Sequence, residues 1–593
     1  MCGIFGYKGI QNNAGQIVLE GLKRLDYRGY DSWGVGVMSE GNLTVEKEVG
    51  KISEVLTTIT LPESHSAIAH TRWATTGGVT KVNAHPHMST DDSFMLAQNG
   101  IVENFTELKK DLQQKGHAFV SETDTEVIVR LVEEELKSDP QYVSAIRKAF
   151  LKLTGRNTVI VLTKTGEIYA ARNGSPLVIG VNTKTNEVYL SSDTLSFAPY
   201  VDKMIVVENG QMVSMDNENV IALYTISTGE LCEYTLEEMT VKADKIDKEG
   251  YDHFMMKEIH ETPYVLRQII AQDPEKLQVF VQALQAAHRI YIIGSGTAGI
   301  ASSQIAFYLR LYGKLDAVSL IGADVQSYYD IFQPDDIIIA PSQSGETADV
   351  IEVLEHAKAK GVEIGTIINM PGSIMTRMSD YPFMCNAGPE ICVMSTKVFT
   401  AQIAWGYLLA KTVQGRFEEG KDYLKALSEA VQRYLDNENN HTALKALADH
   451  LSEKEHIFLL GKYQNLAIMN EGMVKIIEAS YKHAHTIPAG DLKHYAITLM
   501  EKAVPVVVAV SDDEVKNDVI TSINEVRLRG AEVIAIAHKQ EDYYDHYIPT
   551  EDTGETDAIG NIVPLQLLAY YLASKLGNNI DKPRNIAKSV TVK

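Results

Sequence analysis

Four cysteines in 593 residues (Cys2, Cys232, Cys385 and Cys392) are too few and too scattered for a disulfide framework, and none forms a metal-type pair. A reducing compartment is the expectation. Basic residues are also short: 55 Lys and Arg stand against 78 Asp and Glu, a formal net charge of −23. A field of that sign repels nucleic acid and anionic membrane, and no basic stripe offsets it. Any phosphorylated ligand must then be held locally, by backbone N–H groups, hydroxyls and helix N-termini. No apolar run reaches the length of a membrane span, and the first residues lack the charged and apolar regions of a signal peptide. The expectation is a cytoplasmic protein with no nucleic-acid or membrane partner.

What is present begins at the second position. Cys2 is followed by a glycine and a short apolar run. Removal of Met1 before so small a residue would leave thiol and α-amine on one carbon, and an amine with a pKa of about 8 can activate its own nucleophile, directly or through water. A chain of this length predicts about three to five domains. Up to about residue 240 the sequence is strand-rich, with short runs at 66–74, 94–102, 158–163, 167–171, 177–180 and 187–191. Helical patterns at 14–25 and 124–135 interrupt them, which fits helices on stacked antiparallel sheets.

The segment 242–250 is charged and has no apolar face, so it reads as a linker. Beyond it, strand-like runs at 289–293, 317–321, 336–340 and 363–369 alternate with helical stretches, as in a parallel sheet. The pattern recurs at 456–460, 504–510, 532–537 and 546–549, and residues 289–307 and 456–474 begin alike. An internal duplication of one α/β domain follows. The expected boundaries are 2–240, a linker and connecting helix at 241–275, the two repeats at 276–420 and 445–580, and a tail at 581–593.

Four clusters accompany Cys2 in the first third: Tyr27-Arg28-Gly29-Tyr30-Asp31-Ser32, His70-Thr71-Arg72-Trp73-Ala74-Thr75, Gln98-Asn99-Gly100 and 121–126 with Asp124. Singly they read as turns, caps or a surface stack. Together they supply what hydrolysis of a side-chain amide needs. These are a thiolate, an amide and a glycine N–H for the oxyanion, an arginine fork for an α-carboxylate and an aspartate for an α-ammonium. The set resembles the N-terminal-nucleophile glutamine amidotransferases over roughly the first 240 residues. The resemblance implies Cys2 as nucleophile, Asn99 and Gly100 as oxyanion hole, and Arg72, Trp73, Thr75, Asp124, Arg28 and Gly29 around glutamine.

In the first repeat, Gly294-Ser295-Gly296-Thr297-Ala298-Gly299 formally satisfies a dinucleotide fingerprint, with Asp324 as the nearest acidic partner. The next strand end is more telling. Ser342-Gln343-Ser344-Gly345-Glu346-Thr347 puts hydroxyls, an amide and a glycine where a helix begins, as a monophosphate requires. This run resembles the sugar isomerase domain. Glu478 and Lys475 by themselves are an i, i+3 pair that reads as a surface salt bridge, and a lysine near the chain end reads as solvated.

Two such domains behind an amidotransferase resemble, nearly end to end, the isomerising glutamine–fructose-6-phosphate aminotransferases. Further matches lie at 386–390, 395–397, 471–478, 492–494 and 583–592. The fold implied is an αββα glutaminase sandwich followed by two parallel-sheet α/β sugar isomerase domains. The implied reaction converts fructose 6-phosphate and glutamine to glucosamine 6-phosphate and glutamate, with no metal and no redox cofactor. By resemblance Glu478 is the base at C1 and C2, His494 opens the ring and Lys588 forms an imine. Thr297, Ser342, Gln343, Ser344, Thr347, Val393, Ser395 and Lys475 bind the sugar phosphate. Trp73 would help gate an internal ammonia passage, the tail would close the sugar site, and a homodimer or larger homo-oligomer would share His494 between chains. Trp33, Thr76, Gln98, Ala298, the run 322–325 and Tyr495-Ala496 depart from the family pattern. A different ketose phosphate, another amidotransferase reaction, a phosphosugar sensor or an NAD enzyme stay open as alternatives at this point.

Overall fold

Alternation along two neighbouring strands sets the layers of the first unit. In Gly3–Lys8, Ile4 points one way and Phe5 and Tyr7 the other, and in the antiparallel partner Ser66–Arg72, Ile68 opposes Ala67 and Ala69 in the same manner. Ile4 and Ile68 meet Met95, Ala97 and Ile160 of a second sheet, whereas Phe5 and Tyr7 pack with Val18 and Leu22 of helix Ala14–Lys23. The computed structural model describes residues 2–25, 28–54, 59–239 and 247–590. Met1, Tyr27, the linker residues up to 246 and the last three residues of the tail lie outside them. The described residues fall into two units, one from Cys2 to Met239 with Ser589 and Val590, the other Asp247–Lys588.

The first sheet of the first unit has eight strands in the order Glu237–Glu238, Lys203–Val206, Val178–Asn182, Glu187–Ser191, Gly3–Lys8, Ser66–Arg72, Ser32–Ser39 and Asn42–Val49. The second has seven, and its strands Phe94–Gly100, Asn157–Thr163 and Ile168–Asn173 pair antiparallel. Helices Phe105–Gln114, Thr125–Ser138 and Tyr142–Phe150 cover the outer face of that sheet through Leu112, Ile128, Leu131 and Ile146. The result is helix, sheet, sheet, helix, as the sequence implies. Trp33, a departure from the family pattern, sits 3% exposed in the core beside Phe5 and Val35.

The second unit holds two five-stranded parallel sheets with one strand order. In the first, Ala317–Ile321, Ile290–Gly294, Ile337–Ser342, Glu363–Ile368 and Tyr381–Met384 run side by side. In the second, His483–Pro488, His456–Gly461, Pro505–Val510, Glu532–Ala537 and His546–Pro549 repeat the arrangement. Each is thus 2-1-3-4-5, with its reversal between strands one and three, where ligands of open α/β sheets bind. After strand one of each sheet a helix starts at once, Thr297–Leu311 or Asn465–Ser480. Gly294 and Gly461 permit that approach: a Cβ there would lie 2.5 Å from the Ala298 carbonyl oxygen and 2.8 Å from that of Asn465. Within the glycine run at 294–299 this packing accounts for Gly294, whereas Gly296 has φ +57 and open space where a Cβ would lie.

These two helices pack on each other inside a core that spans both repeats, with Lys397–Val413 and Ile562–Leu576 buried almost throughout. Helices Phe254–His260, Thr262–Ile270 and Pro274–Ala286 lead into the first sheet, the last capped by Asp273, which accepts from the N–H groups of Glu275 and Lys276. Among the described residues no helix is long and apolar enough to cross a membrane.

Candidate functional site

Cys2 precedes Gly3, which pairs with Thr71, so the thiol lies against the end of the strand Ser66–Arg72. The Trp73 N–H donates to Cys2 Sγ at 3.3 Å. Burial pushes the thiol up, opposed by the Trp73 contact and the Arg72 guanidinium. Arg72 is itself buried and donates to the carbonyls of Thr76 (2.6 Å), Gly77 (3.2 Å) and Gly78 (3.1 Å), which turns the chain after Trp73 into a loop around it. Thr75 is exposed on that loop. Asp31 accepts from the Ala74 N–H at 2.8 Å, and the Thr71 hydroxyl donates to the Gly29 carbonyl. The segment 28–31 therefore braces the strand end. Arg28 is in a buried ion pair with Asp193 at 2.9 Å. Asp124, which burial pushes up, accepts from the Val102 N–H at 2.8 Å.

Asn99 and Gly100 end the strand that enters from the other sheet. Gly100 has φ +131, and a Cβ on it would lie 2.1 Å from the Arg156 carbonyl oxygen, so only glycine fits. Behind Asn99 lies a polar network absent from the sequence reading. His70 Nε2 is 2.8 Å from the Gln98 carbonyl and 3.2 Å from Asn99 Oδ1. The His70 and His85 rings are 4.3 Å apart, and those of His85 and His87 5.1 Å. Thr125 bridges His85 and the Gln98 side chain, whose amide donates to Asn157 Oδ1 at 2.6 Å. Burial lowers His70 to about 3 and holds His85 and His87 well below the ordinary value, so all three are neutral. His70 belongs to a cluster the sequence singled out; its partners could be found only through the fold.

In the second unit, Glu471, Lys475 and Glu478 share one face of helix Asn465–Ser480. Lys475 Nζ lies 2.5 Å from Glu478, 3.3 Å from Glu471 and 3.4 Å from Thr297 Oγ1, and Thr297 donates to Glu471 at 3.1 Å. Lys475 and Glu471 are fully buried. Burial pushes Glu471 up to about 7, against the pull of Lys475, while its two carboxylates keep Lys475 above its ordinary value despite burial. Far from a surface salt bridge, the pair is closed in by the first helix of the other repeat. Glu471 is an addition to the expected set: its type is visible in the sequence, its burial is not.

Ser342 ends strand three of the first sheet, and Gln343, Ser344 and Thr347 follow up to the start of helix Ala348–Ala359, so with Thr297 they flank the strand-order reversal. Gly345 holds the turn at φ +66, its N–H donating to Ser342 Oγ at 2.9 Å. Lys588 is ion-paired with the fully buried carboxylate of Glu390, which also accepts from Ser395 Oγ at 3.0 Å and the Thr396 N–H at 2.9 Å. Burial pushes Glu390 up, yet Lys588 and the backbone N–H groups of Thr396 and Val398 bring it below the usual carboxylate range. Its neighbour Glu258 is pushed up to about 8 by burial and by Glu390. Val393 donates its N–H to the Asp581 carbonyl at 2.9 Å, and the Asp581 carboxylate accepts from the N–H groups of Phe254 and Met255 at 3.0 Å each. The tail is thereby tied to the first helix of its unit. His494 stands apart, exposed at the end of a short 3₁₀ turn, with no hydrogen bond or ion pair among the described residues joining it to Glu478.

Comparison with known proteins covers both units. The SIS domain family matches residues 283–412 and 450–574, and the glutamine amidotransferase domain family matches 70–198. Over 100% of both chains, this one is 35% identical to a glutamine–fructose-6-phosphate aminotransferase (isomerizing) of Thermococcus kodakarensis and 37% identical to one of Pyrobaculum aerophilum. The solved C-terminal domain of glucosamine-fructose-6-phosphate aminotransferase from Francisella tularensis is 30% identical, with a TM-score of 0.53, covering 57% of this chain and 100% of that one.

Proposed function

The chain belongs to the family of isomerising glutamine–fructose-6-phosphate aminotransferases, and on that premise we propose how its residues divide the work. The enzyme takes nitrogen from glutamine and converts fructose 6-phosphate to glucosamine 6-phosphate. Cys2 Sγ attacks the carboxamide carbon, its proton passing to the α-amine that removal of Met1 frees. A thiol pushed up by burial needs such a base. The Gly100 N–H and the Asn99 amide donate to the oxyanion, and His70 at Asn99 Oδ1 supports presentation of the amide nitrogen. The proton returns to the departing nitrogen as ammonia leaves, and water cleaves the thioester to glutamate. Arg72 takes the glutamine carboxylate and Asp124 its ammonium, with Arg28, Gly29, Trp73 and Thr75 forming the walls.

Ammonia passes internally to the sugar site. There Thr297, Ser342, Gln343, Ser344 and Thr347 hold the phosphate, with Val393, Ser395 and Lys475 along the sugar. His494, contributed by the neighbouring chain of a cytoplasmic homodimer or larger oligomer, opens the ring. Lys588 in its neutral form attacks C2 and releases water as the imine forms; ammonia then displaces the lysine. Glu478 removes a proton from C1 and returns one to C2, leaving the aldehyde at C1 and the amine at C2. The observation that carries this reading is Lys475, fully buried between Glu471 and Glu478 beside Thr297. The test is glutamate release from glutamine with and without fructose 6-phosphate, alongside amino-sugar detection. Stimulated release matched by glucosamine 6-phosphate is expected; release without amino sugar would make the acceptor a different ketose phosphate.

A further inference from the structure

At the end of the second parallel sheet opposite the strand-order crevice, three side chains converge that the proposed reaction does not use. Glu532 opens strand Glu532–Ala537, His546 opens the neighbouring edge strand His546–Pro549, and His450 sits in the last turn of helix Glu438–Leu451, which packs on that edge. His450 Nε2 and His546 Nε2 aim at the same carboxylate, His450 hydrogen-bonding Glu532 Oε2 at 2.8 Å and His546 reaching Oε1 at 2.7 Å. One ligand atom of each residue lies within 4.8 Å of the others. Sequence reading finds no metal pair here because the three come from separate elements, 82 and 14 residues apart.

We propose that His450, Glu532 and His546 form a binding site for a divalent transition cation of the zinc class, which clamps the helix Glu438–Leu451 to the edge of the second sheet. Two imidazoles and one carboxylate suit zinc, cobalt(II) or nickel(II), whereas magnesium and calcium take oxygen ligands. Ligand atoms about 2.0–2.2 Å from a tetrahedral zinc stand ~3.3 Å apart, so each histidine–carboxylate separation opens by only about half an ångström to admit the ion. The histidine side chains are 35% and 38% exposed, which leaves a path in and a fourth position for water. One group opposes the ion: Lys454 Nζ, 3.3 Å from Glu532 Oε2. Its side chain is 20% exposed and can swing to solvent, where its charge costs the cation least.

The test uses the full chain, stripped with a chelator and dialysed against Zn2+ alone. One equivalent at micromolar affinity or tighter is expected, with a rise in melting temperature and unaltered amino-sugar formation. In the His450→Gln/His546→Gln double variant that equivalent is lost, and in Lys454→Met its affinity rises several-fold. Co2+ added to the unaltered chain supplies a reading that needs no variant to fold, the intense visible band of a four-coordinate nitrogen-ligated ion. Absence of that band, no stoichiometric Zn2+ uptake, or uptake undiminished in a folded double variant would each overturn the proposal.

Discussion

Gly100 and Lys475 carry the sharpest expectations at the scale of single residues. A methyl group on Gly100 meets the Arg156 carbonyl and an unfavourable φ together, so the strand end must shift and the N–H with it. Gly100→Ala is expected to lower kcat for glutamate release by about 100-fold or more, the order measured when one oxyanion donor is lost. Binding of fructose 6-phosphate should not change; steady-state kinetics and a binding titration on the same preparation read both. Lys475→Met removes the one positive charge between two carboxylates, of which Glu471 has no exposure to water. Stranding a buried charge costs on the order of 3 kcal/mol, reduced to the extent that Glu471 takes up a proton. Amino-sugar formation should vanish and the melting temperature fall, while glutaminase activity without sugar persists. If glutaminase is lost as well, the lysine does not act where it is placed here.

At the scale of elements, the three buried histidines give a pH dependence whose sign is fixed. His70 has a folded value of about 3 against an ordinary 6.5, so the unfolded chain binds the proton more readily anywhere between them. The stability it contributes is intact above about pH 6.5 and is lost as the pH falls toward 3; at pH 5 the loss from His70 alone is about 2 kcal/mol. His85 and His87 shift in the same direction and add to it. Thermal unfolding of the full chain at pH 8, 6 and 5 checks this, and a melting temperature independent of pH across that range would contradict three buried neutral rings. Much of this unit was legible in the sequence, because a half-buried strand alternates: the run at 187–191 is the strand Glu187–Ser191, and those at 158–163 and 94–102 differ from Asn157–Thr163 and Phe94–Gly100 by one or two residues. Helix Phe105–Gln114 was not, since only Leu112 is fully buried in it and a lone apolar position sets no period. The histidine network was invisible for another reason: residues 70, 85, 98 and 125 are joined by sheet packing, which spacing along the chain does not record.

Over the whole molecule, duplication was readable because both copies keep an apolar strand, a glycine and a helix in sequence, and the two sheets share their strand order. Which faces meet was not, and with it went the burial of Lys475 by Thr297 from the other repeat. The tail is the remaining long-range tie. Asp581→Ala removes the acceptor of two helix N–H groups, a loss of about 1 kcal/mol, and loosens the segment that carries Lys588. Amino-sugar formation is expected to fall several-fold with a raised KM for fructose 6-phosphate, and glutamate release measured without sugar should stay as it was. An unchanged KM would separate the tail from the sugar site.

That tie also imposes an order on synthesis. Domains fold as the chain emerges, N-terminal first. The helix Phe254–His260 appears early, but the Asp581 that caps it lies 327 residues further along the chain, and the Lys588 that pairs with Glu390 follows it. On the ribosome, therefore, the amidotransferase layers can form while the isomerase unit still holds an uncapped helix and a buried Glu390 without its counter-charge. The isomerase unit is completed only as the tail emerges, so a product that stops before residue 581 carries the amidotransferase layers but lacks the helix cap and the counter-charge of Glu390.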